Sequence, residues 1–287
     1  MTTYRTLSGL IAMIRRVHSA RGRRRAGLFS IEGTRLVERA LRAGAPLEVV
    51  LVAERLARST DPRHRELLAA LSAAGCPVTV APDSVLVELT EGRDLGLILG
   101  LVRLPPPRSL ATILPTELPA TDDEATPGRH TGRPLLLAAV DIVDPGNVGA
   151  LTRTAHAAGA AALLVVGASD PYHPRATRIS RGSIFKLPVV EYDSTGSFLR
   201  DMAADNVTLV GTTAGGGIAL AQMLWPPTVT AILMGNEAQG LPAEIQAALN
   251  FNLTIPMPEG VDSYSVNAAA AIILYTAAQA QNRKINP

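Results

Sequence analysis

Three short stretches concentrate the polar groups that a reaction needs. In the first, Ile142-Val143-Asp144-Pro145-Gly146-Asn147 runs into an Ala-rich segment that carries Arg153 six residues after Asn147. Less than two helical turns separate the two side chains, so an amide and a guanidinium can face one loop cluster. The second, Leu233-Met234-Gly235-Asn236-Glu237-Ala238-Gln239-Gly240-Leu241, sets a carboxylate beside a glycine that lets backbone approach a ligand closely. The third, running from Ile255 through Met257 to Asn267, closes on Ser263-Tyr264-Ser265-Val266-Asn267. These groups hold and orient rather than attack. A guanidinium suits two-pronged contact with phosphate oxygens, and while protonated it accepts nothing. Asn147 ahead of an apolar helix makes a good N-cap, and its amide can orient a neighbour as well.

Other chemistries find little support. Cys76 is the sole cysteine, so no disulfide forms within the chain and no cysteine cluster binds a metal. The five histidines, at 18, 64, 130, 156 and 173, show no metal-ligand spacing; His156, three residues beyond Arg153, reads as a surface or packing residue. The dinucleotide fingerprint G-x-G-x-x-G is missing after the first strand of the second half. Gly215-Gly216-Gly217 also lacks the pattern, and no G-x-x-x-x-G-K-[ST] occurs, which disfavours nicotinamide enzymes and P-loop proteins.

A net charge of +2 does not by itself point to nucleic acid, but the distribution is uneven. Arg5, Arg15, Arg16, Arg21, Arg23, Arg24 and Arg25 all precede the first acidic residue, Glu32. A GC-rich genome also enriches Arg and Ala. No apolar run spans a bilayer, and the charges follow the short Leu10–Ile14 patch, the reverse of a secretory signal. An Arg-rich, acid-free start would suit a transit peptide, but Phe29-Ser30-Ile31-Glu32-Gly33 reads as the beginning of structure. The expected location is the cytoplasm, without membrane attachment.

The elements that must position these groups fall into two blocks. A Pro-, Thr- and acid-rich stretch over 106–133 reads as a linker between a domain of residues 1–105 and one of 134–287. In the first block, helical spacing covers 34–43, 62–74 and 84–88, and strand-like runs cover 47–53, 77–81 and 96–102. In the second, apolar runs at 135–143, 162–166, 188–191, 207–211, 229–234 and 253–257 alternate with helical stretches. That rhythm implies an α/β fold with a parallel sheet covered on both faces, and ligands in such sheets collect at the carboxyl ends of strands.

Taken together, the three stretches resemble the three motifs of the SpoU family of RNA ribose 2′-O-methyltransferases, within the SPOUT superfamily. Arg181-Gly182-Ser183-Ile184-Phe185-Lys186-Leu187-Pro188-Val189 matches a segment typical between the first two motifs. Leu28-Phe29-Ser30-Ile31-Glu32-Gly33-Thr34-Arg35-Leu36-Val37 is similar to the L30e-like RNA-binding module that many such enzymes carry. The resemblance implies a deep trefoil knot, an exception to the rule that chains are unknotted, and a homodimer formed through the C-terminal domain. It implies S-adenosyl-L-methionine as cofactor and structured RNA as substrate, rRNA favoured over tRNA.

Catalytic candidates are then Asn147, Arg153, Glu237, Ser263 and Ser265. Met234, Gly235, Ile255, Met257, Ser265 and Asn267 fall on cofactor-lining positions. Arg153 is either a phosphate clamp that orients the 2′-hydroxyl or a general base. Glu237 braces the first motif by accepting backbone N–H groups. Arg15, Arg16, Arg21, Arg23, Arg24 and Arg25 would track RNA phosphates, and no metal is required. The third motif departs from the common Ser-Leu-Asn-Val-Ser, with Ser265 where Asn is usual and Asn267 where Ser is. Resistance to a ribosome-directed antibiotic is one expected role. Alternatives are a tRNA 2′-O-methyltransferase and an inactive RNA-binding protein on the same scaffold.

Overall fold

In the computed structural model, residues 6–93, 97–114 and 133–280 are described. They divide into two compact units. One runs to Pro106 and takes in Tyr172–Phe185, and the other holds Pro107–Pro171 and the residues from Lys186 onward.

The first unit opens with two helices that the Arg-rich composition conceals, α1 (Leu7–Val17) and α2 (Ala20–Ala26). Structure therefore begins well before Phe29. Leu10, Met13, Ile14 and Val17 recur every three or four residues and are buried, the stripe of an amphipathic helix. Thr6 and Ser19 cap the two helices by accepting the N–H groups of Gly9 and Gly22. Gly22 sits where the helices meet, and a Cβ there would lie 1.8 Å from the Arg16 carbonyl oxygen. The corner thus requires glycine for lack of room.

A four-stranded sheet follows, from β1 (Leu28–Glu32), β2 (Leu47–Ala53), β3 (Val78–Ala81) and β4 (Ile98–Arg103), in the order β1-β4-β2-β3. Strand β3 lies parallel to β2, and the other pairs are antiparallel. Helices α3 (Thr34–Arg42), α4 (Glu54–Ala57), α5 (Pro62–Ala73) and α6 (Asp83–Leu89) connect the strands. Leu10, Ile14 and Val17 pack with Leu51, Leu86, Leu99 and Leu101 to form its core.

Tyr172–Phe185, which the sequence groups with the second half, belongs structurally to this unit. Its helix α8 (Pro174–Ile179) carries Arg178, whose guanidinium donates to Glu32 at 2.8 Å. Arg93 donates to the same carboxylate at 3.3 Å. The Glu32 side chain is fully buried, and a buried carboxylate is tolerable only with such partners. Phe29 adds apolar contact, its ring 5.2 Å from that of Tyr172 and 6.4 Å from that of Phe185.

The second unit is built on a seven-stranded sheet in which every pairing is parallel. Its strands are β5 (Leu135–Val140), β6 (Ala162–Val166), β7 (Val189–Tyr192), β8 (Thr208–Thr212), β9 (Ile218–Ala219), β10 (Thr230–Met234) and β11 (Phe251–Thr254), in the order β7-β6-β5-β10-β8-β11-β9. All six residues of β5 and all five of β10 are buried, as the unbroken apolar runs predict for strands covered on both faces. Helices α7 (Pro145–Ala157), α9 (Thr195–Ala204), α10 (Ala243–Ala248) and α11 (Val266–Ala280) provide the cover.

The two-residue β9, beside the glycine cluster, is too short to register as a pattern. The linker reading is corrected at its start: Leu110 is fully buried in the second unit's core, with Ile113 and Leu114 packed against it. Residues 115–132 of the expected linker lie outside the described residues, as does Arg5. Among the described residues no helix is long and apolar enough to cross a membrane.

Candidate active site

The carboxyl ends of β8, β10 and β11 deliver three loops to one side of the parallel sheet. A cavity of about 540 Å³ lies among them, within the range typical of small-molecule sites. Met234, Leu241, Ile255, Met257, Val266 and Ile273 give it apolar walls. Thr212, Asn252, Ser263 and Ser265 contribute polar groups, and Glu237 is the one charged side chain on the lining among the described residues.

The loop after β10 is shaped by backbone constraints. Asn236 and Gly240 exchange main-chain hydrogen bonds of 3.1 and 2.8 Å, which folds the loop back on itself. A Cβ on Gly235 would lie 2.5 Å from the Gly240 carbonyl carbon. Gly235 is thus required by the returning backbone of its own loop, a more local reason than approach to a ligand. The Asn236 side chain locks the turn. Its Oδ1 accepts the N–H groups of Ala238 and Gln239 at 2.9 and 3.1 Å, and its Nδ2 donates to the Asp141 carbonyl at 3.0 Å. The signal for Asn236 in the sequence is its place just after an apolar strand, where Asn favours a turn. Thr212 carries no such signal in the sequence; its hydroxyl donates to the Leu233 carbonyl at 2.9 Å and joins the ends of β8 and β10.

The first stretch corrects one expectation. Asn147 is not the N-cap of α7. Asp144 holds that position, Pro145 follows it, and the Asp144 carboxylate accepts the Asn147 N–H at 3.0 Å. Proline at the first helical position loses no hydrogen bond and presets the backbone, so the cap falls on the residue before it. The Asn147 side chain is thereby free for other work. Its Nδ2 donates to the Glu237 carboxylate, and its Oδ1 accepts from Asn267 Nδ2 at 3.1 Å. Glu237 therefore braces the first stretch through a side-chain amide rather than through backbone N–H groups.

In the third stretch Ser265 caps α11, its Oγ accepting the Ala268 N–H at 3.3 Å. Of the expected site residues, Met234, Gly235, Glu237, Ile255, Met257, Ser263 and Ser265 meet around the cavity. Asn147 and Asn267 are joined to Glu237 by hydrogen bonds but are not on the cavity wall. Arg153 is exposed on α7 and also lies off that wall.

In the first unit, Arg15, Arg16, Arg21, Arg24 and Arg25 are exposed, and Arg15 pairs with Glu88. Arg23 departs from the expected phosphate-tracking set. It is 3% exposed, and its guanidinium donates to the carbonyls of Val17 and His18 at 2.8 and 2.9 Å. Its charge is spent on closing the α1–α2 corner, where two carbonyls at a helix end need donors.

Comparison with known proteins adds to this geometry. The SpoU rRNA Methylase family matches residues 134–275, and the MRM3-like substrate binding domain matches residues 10–94. A 23S rRNA (uridine(2479)-2′-O)-methyltransferase of Streptomyces viridochromogenes is 32% identical, over 89% of this chain and 84% of that protein. A 23S rRNA (guanosine(2553)-2′-O)-methyltransferase of Bacillus subtilis is 28% identical, over 91% of this chain and 92% of that protein. Among solved structures, the SpoU methyltransferase AviRb of Streptomyces viridochromogenes in complex with AdoMet superposes with a TM-score of 0.79 at 27% identity, covering 96% of this chain and 98% of that one. An AdoMet-bound rRNA methyltransferase of Sinorhizobium meliloti gives 0.78 at 25% identity, with 96% of each chain covered.

Proposed function

This chain belongs to the SpoU rRNA methylase family, and on that premise we propose that it transfers a methyl group from S-adenosylmethionine to a ribose 2′-hydroxyl of structured RNA, with 23S rRNA the favoured substrate. The observation that carries the proposal is the convergence of the β8, β10 and β11 loops on a single cavity.

The cavity fits the methyl donor in chemical character. Its apolar residues suit an adenosyl group, its hydroxyls and amides suit a ribose and an amino acid, and Glu237 is an anionic neighbour for a sulfonium. Ile255 and Met257 would supply apolar contact and backbone groups, with Met234, Ser263 and Ser265 around them. Gly235 keeps the loop folded tightly enough to leave that space. When bound, S-adenosylmethionine supplies an electrophilic methyl carbon on a cationic sulfur.

The residues then have to align a hydroxyl oxygen with that carbon. Orientation supplies up to roughly 7–11 kcal/mol in favourable cases, whereas general-base help is worth about 10²–10⁴-fold, some 3–5 kcal/mol. Positioning dominates, so a strong base is not needed. Arg153 acts as a clamp: its guanidinium holds an RNA phosphate and turns the 2′-hydroxyl toward the donor. Asn147 and Glu237 keep the helix that carries Arg153 in register with the β10 loop. The exposed arginines of α1 and α2 hold the RNA backbone.

The exchange of Ser265 and Asn267 supports a working site rather than a retired one, because each residue has a structural task in its new place. The reading also carries a trefoil-knotted second unit, a homodimer and a cytoplasmic location. A finer reading of the same activity is resistance to a ribosome-directed antibiotic, since a methyl group on 23S rRNA alters the surface that such a drug would contact. Measured antibiotic susceptibility of a sensitive host expressing the protein tests that point.

The main experiment is incorporation of a labelled methyl group into 23S rRNA, 16S rRNA and tRNA, followed by mapping of ribose methylation. The expected result is one labelled 2′-O-methyl nucleotide in 23S rRNA. Label on a base, or none in any RNA, rejects the proposal; label confined to tRNA replaces the favoured substrate.

A further inference from the structure

Asn267 takes part in a hydrogen-bond chain that joins three distant segments. Asn267 Nδ2 donates to Asn147 Oδ1 at 3.1 Å, across 120 residues of sequence, and Asn147 Nδ2 donates to Glu237 across 90. The direction of this chain is fixed by chemistry. A carboxylate only accepts, so Asn147 must present its NH₂ group to Glu237. Its carbonyl oxygen then faces Asn267, which must present its own NH₂ group. A carboxamide at either position reversed end for end would bring acceptor against acceptor.

The bond to Asn147 is the only hydrogen bond that the Asn267 side chain makes among the described residues. Its Oδ1 is enclosed and finds no donor there. Asn267 is absent from the cavity wall, so its contact with Asn147 is the one that the geometry assigns to it. Its neighbour Ser265 is occupied as the N-cap of α11. Serine caps well, and the residue two places into the helix is the one whose amide meets Asn147.

From this geometry we propose that Asn267 is a positioning residue. It fixes the orientation of the Asn147 amide, so that the carboxylate of Glu237, the start of α7 and the start of α11 are held as one directional unit beside the cavity. The proposal stands apart from the identity of the RNA. It concerns which residue orders the first stretch.

Reversing the chain tests it. In Asn267→Asp a carboxylate faces Asn147 from the other side. The Asn147 amide cannot donate through one NH₂ group to both ends without losing a partner, and thermal stability and kcat both fall. In Asn267→Asp with Glu237→Gln the direction reverses. The new carboxamide at position 237 donates to Asn147 Oδ1, and Asn147 Nδ2 donates to the new carboxylate at position 267. The double variant is expected to recover about tenfold or more in the unfolding equilibrium constant over Asn267→Asp alone, a coupling inside the range for residues that share one hydrogen-bond network; stability is the readout of the cycle because Glu237 also lines the cavity. In Asn267→Asp the KM for S-adenosylmethionine is expected to change less than about threefold, since residue 267 lies off the cavity wall; that is well below the tenfold change of a lost ~1.4 kcal/mol contact.

Additive losses of stability in the double variant overturn the proposal. So does a rise in the donor KM with kcat unchanged, which would return Asn267 to the cofactor-binding set. Should wild-type protein transfer no methyl group at all, the functional reading fails. The stability cycle across positions 237 and 267 still decides this proposal by itself.

Discussion

Arg153 is exposed on α7 and has no hydrogen bond or ion pair among the described residues. A guanidinium left uncommitted by its own fold is available to an external anion. Arg153→Ala is expected to lower kcat by about 10²–10³-fold, the scale of losing one charge-stabilising donor, while binding of S-adenosylmethionine is retained. Single-turnover methyl transfer and donor titration check this together, and wild-type turnover by the variant would remove Arg153 from the mechanism. His18 tests the α1–α2 corner in another way. Burial, the largest influence, pushes its imidazole below the usual 6.5; Glu32 and Glu91 oppose this, and Arg93 and Arg23 assist it. The folded chain therefore resists a proton that the unfolded chain accepts. Stability from this source is complete above pH 6.5 and declines as pH falls toward the lowered folded value. The Tm of the wild type is expected to drop more steeply between about pH 7 and 5 than that of His18→Asn. Parallel curves would show that the histidine is not held neutral.

At the scale of elements, Asp144 carries a defined load. As the N-cap of α7 it accepts the Asn147 N–H, and Asp144→Ala is expected to cost about 0.5–2 kcal/mol in urea unfolding, with Asp144→Ser recovering most of it. Equal stability of Asp144→Ala and wild type would contradict this assignment. The same helix shows what a sequence reveals and what it withholds. The runs that become β2, β5 and β10 are legible because strands buried on both faces need unbroken apolar residues. The loops around the cavity are legible where their polar residues sit at strand ends. The owner of the cap is less so, since Asp144 and Asn147 are both capping types three residues apart. Only the proline between them and the pull of Glu237, 90 residues away, decide the matter. Asn236 was hidden for a similar reason: its partner is the Asp141 carbonyl, 95 residues earlier. Helices α1 and α2 escaped notice because runs of arginine mask a period that only the buried residues display. The return of Tyr172–Phe185 to the first unit is marked by long-range contacts, Arg178 with Glu32 and the rings of Tyr172 and Phe185 with Phe29, which no local pattern encodes.

For the molecule as a whole, the charge distribution bears on how it meets RNA. Arg16, Arg21, Arg24 and Arg25 are exposed near the start of the chain, whereas Arg23 is buried in the α1–α2 corner. Each phosphate contact releases counterions, so replacing any one of the exposed four by Ala is expected to lower the magnitude of the slope of log K against log salt by about 0.7–0.9. Replacing Arg23 should instead lower the Tm and leave the slope of the remaining folded protein unchanged. Binding to a 23S rRNA fragment across a salt series separates the two outcomes, and a slope insensitive to all four exposed arginines would move the RNA path elsewhere. The central claim is that the loops after β8, β10 and β11 together hold a methyl donor. A crystal structure of the protein with S-adenosylmethionine tests it most directly. The donor is expected within the cavity bounded by Met234, Glu237, Ile255, Met257, Ser263 and Ser265; density for the donor at any other place on the chain, with that cavity closed to it, would contradict the claim.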